Sequence, residues 1–270
     1  MCRVLKVSPS GYYEWSQRDD TSKNQRRKTV LEQVNRVYQE SRKRYGSPRI
    51  YRQLKSEGLK IGRHRVAKAM QELGLVARKK RHYRRPVSER HDRSFAKNIL
   101  DRQFKVLSPN RTWACDVSYF WTKSGWIHLA IVMDLYSRRI IGWAMRNQVD
   151  KELTTSALEM ALLSRKPVRP LIHHSDQGAE YTNKEYQGIV KDNRMVASMS
   201  RPRECYDNAV VESFFKTIKT ELVKHQTFKT REEARSAIFE YIEIFYNRRR
   251  LHSTLGYVSP VDFEKQDPVN

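Results

Sequence analysis

The 270-residue chain carries 53 Lys+Arg against 30 Asp+Glu, a net charge of +23, which points to a polyanionic partner. A hydrophobic content of 39%, with 5 Trp and 14 Tyr, excludes a disordered solvating chain. No apolar run long enough to span a bilayer and no signal-peptide pattern is present, so nucleic acid is favoured over lipid, and three widely spaced cysteines without a CxxC exclude a disulfide framework and a zinc knuckle.

The charge is unevenly placed. Residues 1–107 hold a balance of +19 and residues 108–270 only +4. The opening "MCRVLKVSPSGYYEWS" reads as a helix end, a Ser-Pro-Ser start signal and a short aromatic helix. Residues 23–44 read as a charged helix with Leu31, Val34, Val37 and Tyr38 on one face. In 48–74, Pro48 starts a helix with Ile50, Tyr51 and Leu54 inward, "EGLKIG" makes a Gly-bounded turn, and Val66, Ala67, Met70 and Leu73 line a second helix closed by Gly74. Two short helices around a tight turn predict a helix-turn-helix whose second helix offers Arg63, Arg65 and Lys68 to a DNA groove. The basic stretch 77–94, with Lys79, Lys80 and Arg81 leading it, reads as a connector lying along phosphates. The expected division is a helical DNA-binding region over 1–76, a basic linker over 77–107 and a second domain over 108–270.

Beyond residue 108 the texture changes. Residues 111–121 alternate as an aromatic strand, 126–145 as a hairpin, 151–165 as an amphipathic helix and 169–176 as a short buried strand. A helix over 183–193, a strand over 194–200, a helix over 207–222 and a long helix over 230–250 complete the order βββαβαβαα. Strands followed by strand–helix alternation predict an α/β fold, a mixed five-stranded sheet with helices on both faces.

Three acids are out of place for packing alone. Asp116 lies within an aromatic strand, Asp176 lies just past an apolar one, and Glu212 flanks the apolar stripe of its helix. An i,i+4 pair with Lys216 is the simplest account of Glu212, and Lys219 lies two turns along the same flank. Three converging carboxylates repel one another unless cations neutralise them, and all-oxygen donors suit Mg²⁺ or Mn²⁺. Two such ions, roughly 3.5–4 Å apart, serve phosphodiester displacement. His174 reads either as a contact to the carboxylates or substrate phosphate, or as core. Gln177 and Asn208 orient carboxylates or DNA, or serve a turn and a cap. Asp134 and Asp207 read as turn or cap residues, and Arg248, Arg249, Arg250 and His252 as a DNA contact or a basic helix end.

"WACDVSYF", "HSDQGAEYTN" and "SMSRPRECYDNAVVESFFKTIKTEL" resemble the second-frame (OrfB) transposase product of the insertion sequence three family, within the retroviral-integrase superfamily. The resemblance extends from "CRVLKVSPSGYYEW" through "YGSPRIYRQL" to "NRRRLHSTLGYVSP". It implies a ribonuclease H-like core and a DDE triad of Asp116, Asp176 and Glu212, with 35 residues between the last two and Lys219 as a DNA contact. It further implies metal-dependent cleavage at element ends exposing a 3′-hydroxyl, then strand transfer by that hydroxyl. The implied partners are terminal inverted repeats and target DNA, further copies of the chain, and an upstream-frame OrfA product or OrfAB fusion, in the bacterial cytoplasm. A catalytically silent DNA-binding regulator is the alternative, and an intact triad argues against it.

Overall fold

The computed structural model describes residues 2, 4, 7–16, 22–78, 95–167, 170–202 and 204–266. These fall into two compact units, Met1–Arg78 and Lys79–Asn270, each described by itself. In the first unit α1 (Pro9–Ser16) is exposed along its length. α2 (Ser22–Glu40), α3 (Ser47–Ser56) and α4 (Arg63–Glu72) pack around Val34, Val37, Ile50, Leu54, Val66 and Met70. Gly46 caps α3, whose first turn holds Pro48, and Gly62 caps α4. Gly74, at φ +62°, ends α4 in the left-handed conformation that a side chain resists. α3, the turn and α4 form the helix-turn-helix region read from the sequence.

In the second unit, five strands among the described residues make one mixed sheet in the order β3-β2-β1-β4-β5. β1 (Thr112–Thr122), β2 (Gly125–Asp134) and β3 (Ile140–Arg146) form an antiparallel meander. β4 (Ile172–Ser175) and β5 (Val196–Met199) add in parallel on the other side of β1. Alternation along β1 sends Trp113 and Cys115 to one face, where α5 (Lys151–Arg165) and α7 (Lys184–Asp192) bury Leu153, Ala157, Leu158 and Val190 against them. Ala114, Asp116, Ser118 and Phe120 face the other way, where α8 (Ala209–Glu221) packs on β1. β3 and α5 approach so closely that a Cβ on Gly142 would stand 2.1 Å from the Ala157 carbonyl oxygen.

Residues 95–104, read above as linker, lie against β5. Ile99 and Leu100 N–H both donate to Ser198 Oγ, at 2.9 and 3.1 Å, and Leu100 is buried. The predicted last helix, 230–250, is not uniform. α9 (Arg231–Phe239) widens into a π-helical segment, Glu240–Tyr246. The wider turns deliver Asn247 to the first residue of β3, where its amide donates to Ile140 O at 2.9 Å and accepts from Ile140 N–H at 3.0 Å. That satisfies both backbone groups at the start of an edge strand. α10 (Pro260–Gln266) follows. Among the described residues no helix is long and apolar enough to cross a membrane.

Two buried polar arrangements lead to tests. Glu221, at the end of α8, accepts from Arg250 Nη2 at 2.7 Å and from Tyr241 Oη at 2.8 Å, with Glu221 and Arg250 both buried. Burial opposes the Arg250 charge, and Glu221 more than compensates, holding the guanidinium protonated. Arg250 is thus a structural ion-pair partner, not an exposed DNA contact. Removing one member strands a buried charge. Arg250→Ala should lower the unfolding free energy by about 3–5 kcal/mol, and Arg250→Met with Glu221→Leu should recover most of it, both read by urea denaturation. In β4, burial lowers the imidazoles of His173 and His174 to about 4 from 6.5. The folded value lies below the unfolded one, so unfolding takes up protons. Their contribution is complete above about pH 6.5 and falls as the pH drops toward 4. Both rings should give the NMR signals of neutral imidazole until about pH 4, while the urea midpoint declines across that window.

Candidate active site

Asp116 lies midway along β1 on the face covered by α8, and is 6% exposed. Its Oδ1 accepts from the Val117 N–H at 2.8 Å. The parallel register sets Ala114 beside His174. Carried two residues on, that register leads Asp116 toward Asp176, just past the C-terminal end of β4, where open α/β sheets bind ligands. Asp176 Oδ1 accepts from Gly178 N–H at 3.0 Å, a turn that opens the short α6 (Ala179–Thr182). Both carboxylates act on one neighbour. The Tyr181 phenol is pushed well above its usual range by burial first, with the Asp116 and Asp176 carboxylates among the neighbours that raise it further.

Glu212 reaches the same strand from α8. Asn208, the residue before α8, donates its Nδ2 to the Cys115 carbonyl oxygen at 3.0 Å, which fixes the helix start one residue from Asp116. Glu212 follows one turn later and is 7% exposed. The turn before Asn208 is held by Asp207, which is fully buried. Asp207 accepts from Arg201 Nε at 2.9 Å and Nη2 at 2.8 Å, from Arg201 N–H at 3.0 Å, from Arg102 Nε at 2.7 Å and from Asn98 Nδ2 at 2.8 Å. The Arg201 guanidinium, against the opposing effect of burial, holds this carboxyl well below the usual carboxylate range.

The simplest account of Glu212 is present in the structure. Lys216 Nζ stands 3.4 Å from Glu212 Oε2. The Lys216 side chain is 61% exposed, and such a pair contributes little. Among the described residues no three His, Cys, Asp or Glu side chains are grouped to hold a metal ion as they stand. The donor chemistry of Asp116, Asp176 and Glu212 nevertheless fits a hard divalent cation: all are carboxylate oxygens, and two of the three are nearly buried.

The other expected site residues divide. Lys219, partly buried, places Nζ 4.8 Å from the Tyr119 ring centre and 5.6 Å from that of Phe120. His174 is fully buried, with Nδ1 2.9 Å from Ser198 Oγ and Nε2 3.2 Å from Ser200 Oγ, so its ring ties β4 to β5. Gln177 Nε2 donates to Ser200 O at 3.0 Å and braces the loop carrying Asp176. Arg63, Arg65 and Lys68 are exposed on α4, opposite buried Val66, Ala69 and Met70. Lys79, Lys80 and Arg81 lie outside the described residues.

Two residues with a part here carried no distinct signal in the sequence. Asp207 read as a turn acid, yet it is the hub that seats the α8 start. Glu180, four residues after Asp176, has its carboxyl raised by burial first and by Asp176 next. A separate cleft, lined in part by Arg138, Val210, Ser213, Tyr246 and His252, runs along another flank of α8, and none of the three carboxylates lines it.

Residues 106–205 and 212–267 match models of the integrase core domain, and residues 25–83 match an HTH-like domain. The chain is 41% identical over 266 residues to the insertion element IS600 uncharacterized 31 kDa protein of Shigella sonnei, covering 98% of each. It is 40% identical over 270 residues to the transposase InsF for insertion sequence IS3A of Escherichia coli strain K12, covering 99% of this chain and 93% of that one. Among solved structures, a simian T-cell lymphotropic virus intasome chain aligns with a TM-score of 0.51 at 13% identity, over 88% of this chain and 76% of that one, a likeness of fold. With 40% identity to transposase InsF over nearly its whole length and an integrase core following an HTH-like domain in sequence, the chain belongs to the IS3-family transposases.

Proposed function

We propose that in this DNA transposase Asp116, Asp176 and Glu212 are the catalytic carboxylates and together hold Mg²⁺ or Mn²⁺, two ions in the working complex. One observation supports the reading: the β1–β4 register runs from Asp116 toward Asp176, and the Asn208–Cys115 hydrogen bond starts the Glu212 helix one residue from Asp116. When bound, the cations polarise the scissile phosphodiester and favour the deprotonated form of the attacking oxygen. The chain's own residues supply the rest. Asp116 is a rigid ligand, locked by its strand and by the Val117 N–H. Asp176 is oriented by the Gly178 N–H. Glu212 leaves its weak pairing with Lys216 and turns inward, a change that the exposed lysine permits.

In cleavage, water attacks phosphorus. A P–O bond forms, the P–O3′ bond breaks, and the departing 3′ oxygen takes a proton. In strand transfer, that 3′-hydroxyl attacks a target phosphorus: a new P–O bond forms, the target's P–O3′ bond breaks, and the departing 3′ oxygen takes up a proton to balance the one the attacking hydroxyl loses, so one phosphodiester replaces another. Lys219 contacts the DNA backbone beside the reacting phosphate. Arg63, Arg65 and Lys68 on α4, with Lys79, Lys80 and Arg81 beyond it, contact terminal-repeat DNA by charge and groove fit. Pairing two element ends calls for more than one copy on DNA, and an OrfA product or OrfAB fusion supplies further end recognition. The substrate is bacterial DNA, placing the protein in the cytoplasm with the nucleoid.

The test compares the chain with Glu212→Gln on labelled element-end DNA with Mg²⁺ or Mn²⁺, alone and as an upstream-frame fusion. The variant should lose cleavage and joining by at least about 100-fold while binding DNA as before. Equal activity of the two would remove Glu212 from the site. Binding without turnover by both chain and fusion would favour the silent regulator.

A further inference from the structure

The far half of the β1–β2 hairpin leaves three large aromatic residues open to solvent. Tyr119 is 57% exposed, Trp121 53% and Trp126 44%. Single exposed aromatics are ordinary, but these form one strip. Trp121 and Trp126 are direct cross-strand partners, and Tyr119 pairs with His128 two positions along the same face. The ring centres of Tyr119 and Trp126 are 5.2 Å apart at 88°, and those of Trp121 and Trp126 are 4.8 Å apart at 68°. Edge-to-face packing fixes the rings before any partner arrives, so little ordering remains to oppose binding.

The surroundings of the strip are basic. Lys219 Nζ lies 4.8 Å from the Tyr119 ring centre. Arg231 Nε donates to the Trp126 carbonyl oxygen at 3.0 Å, and exposed Lys123 lies in the hairpin turn. The strip is also close to the proposed chemistry. Tyr119 is three residues beyond Asp116, about 10 Å along the strand. The two residues face opposite sides of the sheet. Among the described residues β4 pairs with β1 only as far as Ala114, so no strand closes that edge of β1 beyond it. Lys219, from the helix over the Asp116 face, reaches Tyr119 on the opposite face.

We infer that Tyr119, Trp121 and Trp126 form a stacking platform for unpaired DNA bases next to the cleaved phosphodiester, with Lys219, Lys123 and Arg231 holding the phosphates of that strand. Aromatic faces beside cations are how proteins grip single strands without reading their sequence. A second copy of the chain would cover the apolar rings as well, but the chain's net charge of +23 repels another copy and attracts a polyanion, so a DNA strand matches both the rings and the charge. The placement beside the cleaved bond rests on the assignment of Asp116 given above, while the stacking itself does not.

The experiment uses the full chain without divalent cation, with short oligothymidylate as the probe, and reads tryptophan fluorescence and anisotropy. Oligothymidylate should quench the wild-type fluorescence. Trp121→Ala should weaken binding about 5- to 100-fold, while Trp121→Phe keeps most of it. Fully paired DNA of equal length should bind wild type and Trp121→Ala alike. Wild-type affinity of Trp121→Ala for oligothymidylate, or absence of quenching, would overturn the platform. So would unchanged DNA binding with a loss of self-association in sedimentation, which would assign the strip to a second copy. Glu212→Gln should bind the probe normally. If that variant also cleaved DNA normally, the catalytic assignment would fall and the platform result would stand.

Discussion

Helix α8 must be held against β1 at a fixed height, and much of the second unit serves that constraint. At its start, buried Asp207 gathers the solvent-exposed guanidinium groups of Arg201 and Arg102 and the amide of Asn98, and Asn208 is hydrogen-bonded to the backbone of β1. At its end, Glu221 is locked to buried Arg250 and to Tyr241. Val211, Phe214, Phe215 and Ile218 are buried between these two anchors. Buried ion pairs are poor sources of net stability, but they resist sliding, because any shift strands a charge. A helix proposed to bring a catalytic carboxylate to a phosphate needs that kind of fixity more than it needs extra stability.

The same demand explains features that look irregular. The π-helical turn of Glu240–Tyr246 carries Asn247 to β3 and Arg250 to Glu221, so the last long helix supports both the sheet edge and α8. The segment 95–104 runs along β5 and contributes Asn98 and Arg102 to the Asp207 network. The histidines of β4 are neutral, buried ties: His173 Nε2 lies 2.8 Å from Tyr186 Oη, and His174 contacts Ser198 and Ser200. Beside the proposed site, β4 is thus tied to its neighbours through neutral histidines rather than through charges.

The succession of strands and helices along the chain and most element positions were legible because apolar alternation marks 112–146 and helical periodicity marks 151–165, whereas the order of strands within the sheet was not. The acids stood out as charges in apolar or flanking positions. What was not legible depends on contacts distant in sequence. Asp207 read as a turn residue because its partner Asn98 is 109 positions away and Arg102 is 105 away. Composition placed 95–104 in a linker, since a short polar stretch gives no sign that Ser198 will accept its backbone N–H groups. The run "EYIEIFY" fits an α-helix as well as a π-helix, and only the reach of Asn247 to Ile140 separates them. Arg250 read as part of a basic helix end until Glu221 was found beside it. The exposure of Tyr119, Trp121 and Trp126 is likewise a tertiary fact, because aromatic strand residues read as core.

The integrase core and the 40% identity to InsF establish the family, and the arrangement around β1 supports the proposal that Asp116, Asp176 and Glu212 act as one cation-binding unit, with Glu212 resting on Lys216 in the structure. Mn²⁺ titration followed by electron paramagnetic resonance tests this directly, using the wild-type chain, each single amide variant and the triple variant Asp116→Asn, Asp176→Asn, Glu212→Gln. Each single change should weaken Mn²⁺ binding, and the triple change should abolish it with the fold retained. Undiminished Mn²⁺ binding by the folded triple variant would contradict the claim.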